Sequence, residues 1–194
     1  MINRQLEDFH IILASRSPRR HYLLKELGIG FEICSLQVQE DYPPGMRPVE
    51  VARYLAMLKA DSFDTTRLHS NTIVITADTI VSIDNEILGK PADHDEAVTM
   101  LKKLSGRTHD VITAVCLKSR NKKVCFEVTS SVSFKNLTHE EIEFYIDRFR
   151  PFDKAGGYGI QEWIGYIGIS RIDGSFFNVM GLPVKELYES LLTF

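Results

Sequence analysis

Asp78 stands where a carboxylate is least expected, inside the apolar, β-branched run TIVITADTIVSID of residues 72–84. Strands disfavour aspartate, and burying an unpaired carboxylate is costly, so a cation, a metal ion or backbone donors must stand beside it. Either the strand runs through a working carboxylate, or it breaks at Ala77-Asp78 and the side chain caps backbone N–H groups. Lys59 is the next such residue. In VEVARYLAMLKADSF (49–63) it lies at the edge of the apolar stripe of Val51, Tyr54, Leu55 and Leu58. From there it either snorkels into water or reaches a pocket at a sheet edge. Glu40 and Asp41 sit in the proline-rich loop QVQEDYPPGMRP (37–48). Carboxylates from two segments, completed by substrate phosphates, are how Mg²⁺ is commonly held.

Three further stretches suit an anionic ligand. ILASRSPRR (12–20) reads as a strand end followed by a helix start, with Ser17 as N-cap and Pro18 in the first turn. Arg19 and Arg20 then meet the positive end of the helix dipole, which a bound anion would offset, with Ser15 and the free N–H groups adding donors. In ILGKPAD (87–93), Gly89 allows close approach and Pro91 restrains the backbone of Lys90, a pattern that suits a phosphate. DKAGGYGIQ (153–161) surrounds Tyr158 with glycines and ends in Gln161, which offers a base edge both donor and acceptor. Together these residues are equipped to bind a polyphosphate with a divalent metal and to touch a base.

The elements that must position them alternate. Strand patterns cover 10–14, 31–36, 72–83, 109–118, 123–134 and 164–171, and helical patterns cover 18–28, 48–63, 94–104, 138–149 and 184–193. Gly28 is a natural stop for the first helix, and Thr138 with Glu141 makes a capping box. Hairpins are expected at Asp84-Asn85 and at 119–123, leaving irregular loops at 37–47, 86–92 and 151–163. Strands mixed with helices and hairpins predict an α/β fold with a mixed β-sheet flanked by helices.

Composition narrows the function classes. The 194-residue chain is expected to form a single domain, 1–194, with a net charge of −3 that argues against nucleic acid or an anionic membrane as partner. No run is long enough to span a bilayer, and the N-terminal MINRQLEDFH lacks the apolar core of a leader, so a cytoplasmic location is expected. Cys34, Cys116 and Cys125 have no metal-ligand spacing, and free buried thiols are expected at Cys116 and Cys125.

The order and spacing of ILASRSPRR, LAMLKA, ITADTIV, LGKP, LSGRTHDVITAV, DKAGGYGIQ and IDGSFFNVMGLPV resemble the Maf family of nucleotide pyrophosphatases over nearly the whole chain. The resemblance implies a Maf/ITPase-like fold with a cleft between two lobes. It also implies cleavage of nucleoside triphosphates to monophosphate and pyrophosphate with a divalent cation (Mg²⁺ or Mn²⁺), and a cytoplasmic homodimer. Carried over by position, Asp78 is the catalytic acid, and Glu40 shares the metal with it. Arg19, Thr79 and Gln161 set base choice, and Ser15, Arg20, Lys59 and Lys90 contact phosphate. The A-D-T and G-Y-G-I-Q forms resemble the dTTP/UTP branch. The chain departs from the family where Gln39 precedes Glu40 and Asp41 follows, which leaves Asp41 as an alternative metal acid. It departs again at Glu162-Trp163, where Trp163 is expected to shape the pocket mouth or a subunit contact. Other readings are a pyrophosphatase for modified or other nucleotides, and a non-catalytic nucleotide-binding regulator of septum formation.

Overall fold

The computed structural model describes residues 6, 8–64, 66 and 69–194. Most of the N-terminal stretch that bears on a leader lies outside them. The chain runs β1 (His10–Ala14), α1 (Pro18–Glu26), β2 (Glu32–Cys34), α2 (Pro48–Asp61), β3 (Thr72–Ile83) and β4 (Glu86–Leu88). It continues through α3 (His94–Leu104), β5 (Thr108–Lys118), β6 (Lys123–Phe134) and α4 (His139–Phe149). A 3₁₀ turn at Ala155–Gly157 then leads to α5 (Trp163–Gly168), β7 (Ile169–Asp173), α6 (Phe176–Met180) and α7 (Val184–Leu192).

The seven strands form one mixed sheet in the order β2-β1-β3-β5-β6-β7, with β4 paired to β3. β1 is parallel to β2 and β3, and the other pairs are antiparallel. Helix α2 covers one face of the sheet. There Val51, Leu55 and Ala56 pack with Ile80, Ile112 and Cys116. Helices α3, α4 and α7 cover the other face through Leu101, Ile142, Tyr145 and Leu187.

One pairing detail opens the sheet. β1 reaches β3 only at Thr72 to Ile75, and β4 takes over at Val81 to Ile83. Residues 76–80 of β3 are thus left without a strand on that side, while β5 pairs continuously along the other. β3 itself runs unbroken through Asp78, so the alternative of a break at Ala77-Asp78 does not occur.

Local chemistry explains the regular elements. Asp84 and Asn85 both adopt left-handed backbone, at φ 52° and 62°, the geometry of a tight hairpin turn between β3 and β4. The Thr138–Glu141 capping box forms in both directions, at 3.2 Å and 2.9 Å. Ser17 holds the N-cap position of α1, but its side chain makes no capping bond.

Two expectations are corrected, and one helix is present that the sequence pattern does not predict. The strand expected over 164–171 is instead helix α5 followed by β7 at Ile169–Asp173. A short apolar run fits either element, and here Gly165 packs so closely on Ile160 that a Cβ would lie 1.8 Å from its carbonyl oxygen. Helix α6 has no counterpart in the sequence pattern, because five residues are too few to show periodicity. Cys116 and Cys125 are not free thiols: they face each other across the β5–β6 register, with Cα atoms 4.1 Å apart, and form a disulfide. The hairpin turn sets that pairing, and Cys34 is the free cysteine. Among the described residues no helix is long and apolar enough to cross a membrane.

Candidate functional site

The open stretch of β3 is the floor of a cleft of about 860 Å³. Its walls come from the β1–α1 turn, the loop around Glu40, α2, the Gly89-Lys90 turn, the 153–161 loop and the end of α6. Ser15, Arg19, Arg20, Glu40, Lys59, Asp78, Thr79, Lys90 and Gln161 all line it, whereas the alternative acid Asp41 does not.

Asp78 is 7% exposed and meets the ammonium of Lys59, which also lies 2.9 Å from Glu40 Oε1. Alternation along β3 turns Asp78 to the α2 face, and α2 delivers Lys59 from its last turn, where the helix dipole favours a cation. Burial acts to raise the Glu40 pKa, but the hydrogen bond and charge of Lys59, with Lys90 and Arg20 behind it, hold it below the usual carboxylate value. Asp41, the alternative acid, is exposed and accepts a hydrogen bond from Gln39. Lys90 is exposed at the cleft rim, directly after Gly89.

At the start of α1, Ser17 N–H donates to Ser15 Oγ at 3.2 Å and His21 bonds the Ser15 carbonyl at 2.8 Å. No acid occupies the first turn. The start of this helix, from Ser17 to Arg20, lines the cleft without a side-chain cap. Arg19 reaches Asp153 at 3.3 Å. Arg20 turns into the protein, donating to Gly181 O at 2.8 Å, Ala77 O at 2.9 Å and Thr79 Oγ1 at 2.9 Å. Three of its five N–H donors are thus used on the fold, and two remain. Burial lowers its pKa and the Asp78 charge works against that shift. Thr79, on the opposite face from Asp78, is held by Arg20 and by Thr113 at 3.0 Å.

The glycine-rich loop is tied to the Lys90 turn by Gly156 N–H, which donates to Gly89 O at 2.9 Å. Gly156 has a φ of 70°, and a Cβ there would come within 2.9 Å of Val81 Cγ1. Only glycine allows that approach. Gln161 Oε1 is buried and has no hydrogen-bond partner, so a donor from a ligand would complete it. Trp163 packs edge-on against Phe144 with centroids 4.8 Å apart and is absent from the cleft lining, so of its two expected roles the one at the pocket mouth is not borne out.

Sequence reasoning missed Asp153, Lys154, Tyr145 and Glu162, which form a polar chain behind the loop. Asp153 and Lys154 begin the DKAGGYGIQ segment and were within reach, whereas Tyr145 sits in an ordinary helical stripe with no distinguishing signal.

A mixed sheet opened beside one strand, with two carboxylates on one lysine and an uncapped helix N-terminus in the same cleft, defines an α/β protein built to hold a polyanion. The solved structure of a HAM1 protein from Coxiella burnetii shares this fold, with a TM-score of 0.51 at 16% identity over 96% of this chain and 100% of that one. The chain belongs to the Maf family, whose Maf-like protein model matches residues 10–194. A dTTP/UTP pyrophosphatase of Porphyromonas gingivalis is 51% identical over 191 residues, covering 97% of this chain and 96% of the relative. One from Flavobacterium psychrophilum is 47% identical, covering 99% and 98%.

Proposed function

We propose that this protein hydrolyses nucleoside triphosphates, dTTP and UTP foremost, to the monophosphate and pyrophosphate. The observation that carries the reading is the meeting of Asp78 and Glu40 on Lys59, in a cleft that also presents the uncapped start of α1. The names of the relatives support the substrate class.

The triphosphate lies against Lys59, Lys90, Arg19, Ser15 and the N–H groups of α1, with the two free donors of Arg20 beside them. This assembly positions the chain and neutralises its charge, which is most of what phosphoryl chemistry requires. Glu40 and Asp78 supply hard oxygen donors that suit Mg²⁺ or Mn²⁺, and among the described residues no third His, Cys, Asp or Glu joins them. Such an ion, when bound, supplies further charge neutralisation and acidifies water beside the phosphates. Water attacks the α-phosphorus, a P–O bond forms, the bond to the bridging oxygen breaks and pyrophosphate leaves. Asp78 serves as the base that takes the water proton, as a metal ligand, or as both.

Gln161, with Arg19 and Thr79, selects the base: its unpartnered Oε1 matches the N3–H of uracil or thymine. We further propose that residues 1–194 act as one domain, as a homodimer in the cytoplasm, without a nucleic-acid partner. The span of the family match and the negative net charge support the first and last of these.

The test is a panel of nucleoside triphosphates incubated with the purified protein and Mg²⁺, Mn²⁺ or chelator, with products resolved. Metal-dependent pyrophosphate from dTTP and UTP above the purines is the expected result. Pyrophosphate from other or modified nucleotides instead would overturn the base assignment. Binding without turnover would leave a regulator.

A further inference from the structure

Gln161 is flanked on both sides by residues anchored to the core. Gly159 N–H donates to Tyr145 Oη at 2.9 Å, and the same hydroxyl donates to Glu162 Oε2. Glu162 Oε1 lies 3.2 Å from Lys154 Nζ. Lys154 donates to Asp153 Oδ1 at 2.6 Å, and Asp153 Oδ2 accepts from Arg19 Nη1 at 3.3 Å. A single polar chain therefore runs from the core side of α4 to the first turn of α1, touching the loop just before and just after Gln161.

Stability alone does not account for this chain. Tyr145 is 0% exposed and Lys154 only 7%. A buried ion pair gains little over apolar packing of the same volume, because both charges lose their water. What it gives is a fixed register. A Cβ on Gly159 would lie 2.8 Å from Glu162 Cδ and 3.1 Å from Gln161 Nε2, so the two side chains close around one backbone point. The Gln161 amide thus has its nitrogen packed beside Gly159, while its buried oxygen has no hydrogen-bond partner in the protein.

That matters for base choice. Uracil and thymine present N3–H as a donor, whereas cytosine presents a bare N3 acceptor. A half-turn of the amide exchanges Oε1 and Nε2 and reverses which base it favours. Discrimination then depends on holding the amide still, through residues that touch no substrate.

We infer that Tyr145 and Glu162 are positioning residues for base selection, acting through the backbone on either side of Gln161. The inference rests on the reading of Gln161 given above. Pre-organisation of a polar contact is what separates a matched from a mismatched ligand, since a mismatch leaves buried polar groups unpaired.

The experiment compares kcat/KM for UTP and CTP, with Mg²⁺, in the wild type, Tyr145→Phe, Glu162→Ala, Glu162→Gln and Gln161→Ala, with Tm recorded for each. Tyr145→Phe is close to isosteric and removes only the hydroxyl. It should lower the UTP:CTP ratio about tenfold, the worth of one hydrogen bond, mostly through KM for UTP. Glu162→Ala should do the same. Glu162→Gln keeps an acceptor for the Tyr145 hydroxyl and should restore the ratio to within about threefold of wild type. A lowered Tm with an unchanged ratio in both Tyr145→Phe and Glu162→Ala would show a structural role only and overturn the inference. If Gln161→Ala leaves the ratio unchanged, the base reading itself fails. If Gln161→Ala lowers it and Tyr145→Phe does not, the positioning inference alone is lost.

Discussion

The ammonium of Lys59 rests against the carboxylate of Asp78, joining the last turn of α2 to the one stretch of β3 that has no strand on its β1 side. Glu40 completes the cluster from a loop at 2.9 Å. Two acids and one lysine leave this cluster one negative charge in excess, which a divalent cation would offset, while Arg19, Arg20 and Lys90 in the same cleft would offset the charge of a triphosphate.

Replacing Lys59 by Met should therefore destabilise the protein by on the order of 3 kcal/mol, because the Asp78 and Glu40 carboxylates lose the cation between them. Mg²⁺ should raise the Tm of Lys59→Met more than that of wild type, since the ion then binds the two acids without displacing an ammonium. Thermal melts with and without Mg²⁺ check this. An equal metal response in both proteins would mean that the acids do not hold the ion.

Much of this arrangement is legible in the chain, for identifiable reasons. A carboxylate inside a β-branched run is visible because strands exclude it, so Asp78 stands out from its neighbours alone. Lys59 stands out because it lies at the border of a helical stripe. The capping box of α4 and the hairpin at Asp84-Asn85 are local chemistry and form as expected. Tertiary pairing is less visible. The Cys116–Cys125 bond depends on a strand register, and α5 on how tightly Gly165 meets Ile160. The engagement of Arg20 with Ala77, Thr79 and Gly181 joins three distant segments, and no spacing in the sequence announces it.

Asp78→Asn keeps the side-chain shape and its acceptor for Lys59 but removes the charge and the basic oxygen. Turnover should fall by at least about a thousandfold, the scale of losing a general base or a metal ligand. Nucleotide affinity should change far less, because the cations of the cleft remain. Pyrophosphate release alongside equilibrium binding of dTTP separates the two, and full activity in the variant would remove Asp78 from the chemistry.

Gln161→Ala removes the buried Oε1 that has no partner in the protein. A site that no longer offers an acceptor should lose its preference for uracil and thymine nucleotides over cytosine by about ten- to a hundredfold, with kcat for the preferred substrates less affected. Competition between UTP and CTP in one reaction reads this directly. An unchanged preference would assign base choice to Arg19 or Thr79 instead.

His109 provides a pH signature in the core behind the glycine-rich loop. It is 2% exposed, and its Nε2 lies 2.7 Å from Tyr158 Oη. Burial pushes its pKa down from 6.5 to about 4, with the Asp110 charge acting weakly the other way. The folded protein therefore holds it neutral while the unfolded chain takes a proton near pH 6.5. Between these values the unfolded state binds more protons, so stability falls as the pH drops through this window and levels off below about 4. The full span amounts to about 3 kcal/mol, of which about 1.4 kcal/mol should already be lost at pH 5.5. In His109→Phe the loss of the Tyr158 hydrogen bond adds a cost that does not vary with pH, so the change in urea midpoint between pH 7 and 5.5 should be smaller than in wild type. Equal changes in the two proteins would mean that His109 titrates normally in the fold and that the Tyr158 contact does not exclude water from it.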